Sequence, residues 1–196
     1  VLIVSVILSY LIGSISSSTL LGRWIAKIDI REHGSGNAGA TNTLRVLGWR
    51  LAIIVLLADV LKGMVAICLA WNLGHGGAWT TYLSGLAVIV GHNWPIFFGF
   101  RGGKGVATTI GVLLLTMPVP AVLAGVLAIV LVLVTRIVSV GALTFTILTP
   151  IFLILLEHHR TGALVFAIVI ALLSIYQHRQ NLVRLMNGRE NRIFSK

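Results

Sequence analysis

The chain has 196 residues, of which 57% are hydrophobic and 10% charged, and its mean hydropathy is +1.01. A soluble domain carries roughly 25% charged residues, so this chain cannot cover a globule with polar side chains, and its apolarity excludes intrinsic disorder as well. The 15 Lys and Arg against 5 Asp and Glu leave a net charge of +10; in so apolar a chain that excess marks the cytoplasmic loops of a membrane protein rather than a nucleic-acid surface.

Residues 1–22 are uncharged and long enough to span a bilayer. With neither a basic start nor a small-residue cleavage site, the segment reads as a retained helix and not a signal peptide. The chain opens on Val1 rather than Met, which suggests a processed or truncated start. The next apolar stretch runs from about Leu51 to Asn72 and carries Asp59 and Lys62 inside it; Gly74, Gly76 and Gly77 end it, and a shorter stretch follows from Ala78 to about His92. Gly105 to Thr135 is 31 uncharged residues, too long for one simple span. Pro118 and Pro120 divide it, because proline lacks an amide donor, into helices at about 106–117 and 120–135. The last two stretches run from about Ile137 to Leu156 and from Thr161 to Gln177. The expected fold is therefore all-α: a polytopic integral membrane helix bundle of about seven transmembrane helices, in a single domain over 1–196. The shortest helices are equally open to a re-entrant reading.

Charge placement sets the expected orientation. With the N-terminus outside, the inner loops hold Arg23, Lys27, Arg31, Arg45, Arg50, Arg101, Lys104, Arg136, Arg179, Arg184, Arg189, Arg192 and Lys196. Only Arg160 falls outside, and Lys62 lies in a span, so the positive-inside rule places the C-terminus in the cytoplasm. Trp24, Trp49, Trp71, Trp79 and Trp94 each fall near a span end, where indole favours the interface.

Three polar segments then share the cytoplasmic face. The first is GSGNAGATNTLR, Gly34 to Arg45. Gly34, Gly36 and Gly39 permit tight turns and close approach to a ligand. Ser35, Asn37, Thr41 and Asn42 offer neutral donors, and Arg45 adds a planar fork suited to phosphate or carboxylate. An ordinary polar turn capping a helix would use the same residues. The second is GHNWPIFFGFRGGKGVATT, Gly91 to Thr109. Gly102, Gly103, Lys104 and Gly105 precede an apolar helix, so exposed backbone N–H groups and the helix dipole favour an anion there. It is not a Walker A loop, since Gly105 stands where Ser or Thr is required; the plainer alternative is a connector whose charges only set topology. The third is YQHRQNLVRLMNGRE, Tyr176 to Glu190, in which His178, Asn181 and Arg184 share a helix face. A basic amphipathic tail lying on anionic lipid would look similar.

Asp59 and Lys62 are three apart within a span, where ionisable groups are paired or functional; mutual neutralisation is the structural alternative. His158 and His159 beside Glu157 are not at helical ligand spacing, and a solvated outer loop fits them better than a metal site. Cys68, the only cysteine, excludes an intramolecular disulfide and reads as a small apolar filler. No G-x-S-x-G elbow, no H-E-x-x-H motif and no H-x-x-x-x-D acyltransferase motif is present. What remains is anion binding by backbone N–H groups, Arg45 and Lys104 beside a membrane, which points to a phosphorylated substrate with a lipid or fatty partner. No metal and no cofactor is called for. A transporter for a phosphorylated anion, with Asp59 and Lys62 along its path, or a noncatalytic membrane subunit are the rival readings; most spans are apolar away from the inner face, which disfavours a transport path.

The chain resembles the bacterial acyl-phosphate:glycerol-3-phosphate acyltransferases, the PlsY family, over nearly its full length. GSGNAGATN, GHNWPIFFGFRGGKGVAT and HRQNLVRLMNGRE are similar to that family's three cytoplasmic motifs in order and spacing, and DVLKG, Asp59 to Gly63, is similar as well. Arg101, often Lys in the family, and Leu182, often Ile, are small departures that keep charge or bulk. The resemblance implies transfer of a fatty acyl group from acyl phosphate to the 1-hydroxyl of glycerol 3-phosphate, giving lysophosphatidic acid and inorganic phosphate in phospholipid biosynthesis. It implies a cell inner-membrane enzyme with its active site at the cytoplasmic face, and membrane lipid, glycerol 3-phosphate and fatty acyl phosphate as partners. Neither nucleic acid nor an oligomer is called for, and a monomer is the working expectation.

By the same resemblance Ser35, Arg45, Lys104, His178 and Asn181 are activity residues. Gly36, Asn37, Gly39, Thr41, Asn42, Gly102, Gly103 and Gly105 are substrate- or phosphate-binding, and Asp59, Lys62 and Glu190 are structural. An acyl phosphate already has a good leaving group, so positioning and electrostatics carry most of the chemistry. Either His178 or the substrate's own phosphate could take the hydroxyl proton. With no credible nucleophile for an acyl-enzyme, direct transfer in a ternary complex is expected.

Overall fold

The computed structural model describes residues 1–74, 77–157 and 159–193; Gly76, His158 and the Lys196 end lie outside them. Among the described residues the chain is helical with no strand, and its helices group into two compact units, Val1–Thr116 and Met117–Lys196. The first unit holds α1 (Leu2–Gly13), α2 (Ser17–Leu21), α3 (Ala40–Leu47), α4 (Trp49–Leu73), α5 (Ala78–Asn93) and α6 (Val106–Thr116). The second holds α7 (Pro118–Thr135), α8 (Val138–Leu156), α9 (Thr161–Gln177) and α10 (Arg179–Met186).

Six of the seven apolar segments expected to be helical form one helix each, and the first is helical on either side of a break. By length and apolarity alone four qualify as membrane spans: Leu2–Ala26 taken across its break, α4, α7 and α8. The pair α9 and α10, bent by 62°, makes a fifth when counted as one span, and α6 is apolar but short. The outward faces of these helices suit lipid: Leu57, Leu61 and Val65 on α4, and Val122, Val126, Ile129 and Leu133 on α7, are all exposed. Polar side chains turn inward instead, as Ser5 on α1 does in meeting Ser84 on α5 at 2.8 Å.

The first segment differs from the single helix expected over 1–22. It breaks at Ser14–Ser16, re-forms as α2, and widens into a π-helical turn over Gly22–Ala26. The group that accommodates the break is distant in the chain. Carbonyl groups released by a break at membrane depth need a partner, and Lys62 Nζ donates to Gly13 O at 3.1 Å and to Ile15 O at 2.9 Å. The division at the prolines falls where expected: α6 ends at Thr116 and α7 starts on Pro118, a first-turn position whose missing N–H costs no hydrogen bond.

Glycines let helices of the first unit meet backbone to backbone, as small residues do in membranes. A Cβ on Gly13 would overlap Val88 O, and one on Gly91 would overlap Tyr10 O, so α1 and α5 are in direct contact. Gly63 against Thr108 O and Gly111 against Val60 O do the same for α4 and α6. Tyr10 Oη donates to Trp94 O at 2.8 Å and fixes where the chain leaves α5 toward the second polar segment.

Candidate active site

The first polar segment folds as a loop leading into α3, an eight-residue helix that its composition did not announce. Gly34 (φ 62°) and Gly36 (φ 71°) occupy left-handed backbone that glycine alone adopts without strain. Asn42 holds the turn from inside. It is fully buried, its Oδ1 accepts from Ser35 N at 2.8 Å, and its Nδ2 donates to Ile30 O and His33 O at 3.0 Å each. Its carboxamide therefore serves the loop's own backbone. Thr43 Oγ1 donates to Gly39 O at 3.1 Å, closing the first turn of α3. Ser35 and Arg45 are exposed, while Asn37 and Thr41 are half-buried.

Asp29, which does not stand out in the sequence, and Arg31, which counts there only as a loop charge, anchor this loop. Arg31 Nε and Nη2 donate to the two carboxylate oxygens of Asp29 at 2.9 and 2.7 Å, and Arg31 Nη1 donates to Phe98 O at 2.6 Å. The hydrogen bond from Arg31 outweighs the burial that opposes it and, with Arg23, holds the Asp29 carboxyl well below the usual carboxylate range. The pair therefore stays charged at any physiological pH. The D-x-R spacing next to the glycine loop was the available signal.

The second polar segment lies directly against the first. Ala38 N donates to Gly102 O at 3.3 Å, and Gly103 N donates to His92 O at 3.1 Å. A Cβ on Gly103 would meet His92 Nε2 and, at 2.7 Å, Ala38 O; a Cβ on Gly102 would meet the His92 and Asn93 carbonyls. Glycine at both positions is thus a steric requirement. Gly105 (φ 80°) turns the chain into the N-terminus of α6, with Lys104 half-buried beside it. Asn93, buried on α5, has no hydrogen-bond partner for either side-chain atom among the described residues, and its Oδ1 would lie 2.6 Å from a Cβ on Gly105.

Beneath these loops sits a buried charge cluster. Lys62 Nζ is 3.0 Å from Asp59 Oδ1, Ser17 Oγ donates to the same oxygen at 3.1 Å, and His92 Nδ1 is 3.6 Å from it. The last distance is too long for a direct hydrogen bond, so the His92 contact is electrostatic. Asp59 and Lys62 therefore tie α4 to the broken first segment.

In the second unit, His178 lies at the bend between α9 and α10, buried, with Nδ1 2.9 Å from Ser174 O. A carbonyl only accepts, so Nδ1 carries the proton and Nε2 is the basic nitrogen of the neutral ring. Asn181 Nδ2 donates to Glu190 Oε1 at 2.5 Å, Arg184 Nε donates to Glu190 Oε2 at 2.8 Å, and Ser139 Oγ donates to Oε1 at 3.1 Å. Glu190 thereby ties the tail to α8 and α10. Burial alone would raise its carboxyl; the hydrogen bonds from Asn181, Arg184 and Ser139 outweigh that and leave it below the ordinary value.

Residues 3–188 match the family model described as glycerol-3-phosphate acyltransferase. A protein of that name from Halalkalibacterium halodurans is 50% identical over 195 residues, covering 97% of this chain and 95% of the relative. One from Shouchella clausii is 51% identical over 199 residues, covering 100% of this chain and 97% of the relative. The crystal structure of PlsY (YgiH), an integral membrane glycerol 3-phosphate acyltransferase in its glycerol 3-phosphate form, superposes with a TM-score of 0.91. It is 39% identical, covering 98% of this chain and 95% of that one. The form with lysophosphatidic acid superposes with a TM-score of 0.87 at 38% identity.

Proposed function

This chain belongs to the glycerol-3-phosphate acyltransferase family, PlsY type, and from that premise we propose that it acylates the 1-hydroxyl of glycerol 3-phosphate with a fatty acyl phosphate as donor. The hydroxyl oxygen forms the ester bond to the acyl carbon, the bond from that carbon to the phosphate oxygen breaks, and inorganic phosphate leaves. Lysophosphatidic acid is the product, and transfer is direct, without an acyl-enzyme. The observation that carries the reading is the contact of Ala38 with Gly102, which joins two glycine-rich loops bearing Ser35, Arg45 and Lys104. Two anions must be brought together in this reaction, and donors fixed in advance do that without reorganising. Gly36, Asn37, Gly39 and Thr41 line the first loop and Gly103 and Gly105 the second; the N–H groups of Gly36, Gly39 and Gly103 bond His33 O, Asn37 O and His92 O, so these glycines shape the loops, while the side chains of Asn37, Thr41 and Lys104 supply polar groups suited to phosphate. Gly102 and Asn42 support the reading from behind, by letting the loops meet and by bracing the turn.

His178 and Asn181 are proposed as activity residues on the likeness of the third motif. His178 Nε2 is the protein's candidate proton acceptor, and the phosphate of the substrate is the other. The basic loops are proposed to lie in the cytoplasm, in the inner membrane of the cell.

The test is product formation by the purified protein in lipid. Lysophosphatidic acid should appear from acyl phosphate and glycerol 3-phosphate, and the rate should survive a chelator. Robust turnover with acyl-CoA alone would overturn the donor, and activity lost in chelator and restored by magnesium would overturn the metal-free chemistry.

A further inference from the structure

His92 touches the second glycine-rich loop twice. Its carbonyl accepts from Gly103 N, and its Nε2 occupies the space a side chain at Gly103 would need. The other ring nitrogen faces Asp59, whose Oδ1 is held by Lys62 and Ser17. Lys62 in turn grips the carbonyls of Gly13 and Ile15 at the break in the first segment. All of these side chains are buried. A continuous path thus runs from the broken helix through a charge cluster to the backbone of Gly103.

We propose that His92 is a positioning residue for the Gly102–Gly105 loop, aimed by Asp59, and that this pair sets the geometry in which the loop's N–H groups and Lys104 receive a substrate phosphate. The proposal rests on the anion-binding role given to that loop above. A buried imidazole wedged between a carboxylate and a glycine has few ways to turn, so the loop backbone it abuts is held in one register. A role in folding alone would need only that the space be filled. A role in positioning needs the ring to face Asp59 at one end and Gly103 at the other.

Initial rates against glycerol 3-phosphate for His92→Ala, Asp59→Asn and the double variant, with rates scaled to folded protein in detergent, decide between them. Each single variant should raise KM about tenfold, the scale of one misplaced hydrogen bond, with kcat within about threefold. The double variant should be no worse than His92→Ala alone, because the two act in series. His92→Gln, which keeps a polar end near Gly103, should stay within about threefold of the parent KM. Should Asp59→Asn fail to fold, Ser17→Ala, which removes one of the donors holding Asp59, takes its place in the cycle. An unchanged KM with activity tracking the folded fraction, additive effects in the double variant, or equal KM values for His92→Gln and His92→Ala would each overturn the proposal. If the parent protein neither binds nor acylates glycerol 3-phosphate, it is the functional reading that fails.

Discussion

Arg45 and Lys104 make different demands on a substitute. Arg45 projects from α3, exposed and without an ion pair among the described residues, and its planar fork can take two oxygens of one phosphate. Lys104 is a point charge next to two glycines. A hydrogen bond to a charged group is worth roughly 1.5–3 kcal/mol, so Arg45→Ala and Lys104→Ala should each lower kcat/KM by about 10- to 100-fold. Arg45→Lys should recover little, since a point charge does not reproduce the fork. Arg160 pairs with Glu157 at 2.6 Å on an exposed loop, and surface pairs contribute little, so Arg160→Ala should be nearly silent. Initial rates at matched expression check this; indistinguishable Lys104→Ala and Arg160→Ala variants would reduce the glycine loop to a connector.

At the scale of elements, α10 depends on a single carboxylate. Glu190 receives Asn181, Arg184 and Ser139 together, and its carboxyl is held below its ordinary value. A depressed carboxylate stabilises the fold above its unfolded pKa and loses that contribution as pH falls through the folded one. Glu190→Gln should therefore destabilise α10 by about 1–3 kcal/mol at neutral pH, with the deficit shrinking as acid protonates the parent. Hydrogen exchange of the 179–186 amides at pH 7 and pH 4 reads it; a deficit that does not shrink in acid would remove the charged form from the account. The element boundaries were mostly legible, because apolar runs and prolines act along the chain. The break at Ser14–Ser16 was not, because its partner is Lys62, a distant residue that resembled a simple i,i+3 ion pair. The eight-residue α3 was hidden too: its first turn is closed on Gly39 and its loop braced by Asn42, and in the sequence Gly39 reads as a turn former and Asn42 as a neutral donor. The motif residues of the candidate site stand out by type, yet His92 does not. Its importance comes from the approach of Gly103, which is a property of the folded backbone.

For the whole molecule, the charge bias sets the expected crossing pattern. In a Cys68→Ala background, single cysteines at Gly77 and Asn187, both exposed, should label from opposite sides of the membrane; labelling from one side would refute an odd number of crossings between them. The glycine contacts of the first unit bear on how the protein meets bilayers of different makeup. At Gly13 and Gly91 between α1 and α5, and at Gly63 and Gly111 between α4 and α6, backbone rests on backbone, and at those points no side chain lies between to be squeezed or re-sorted. Such a joint is stiff to lateral pressure. As the cell alters the length and saturation of its lipids, the helices that carry the glycine loops can tilt, but these pairs cannot draw closer. An enzyme whose product feeds the very membrane it sits in would thereby keep its loop spacing constant while its solvent changes around it.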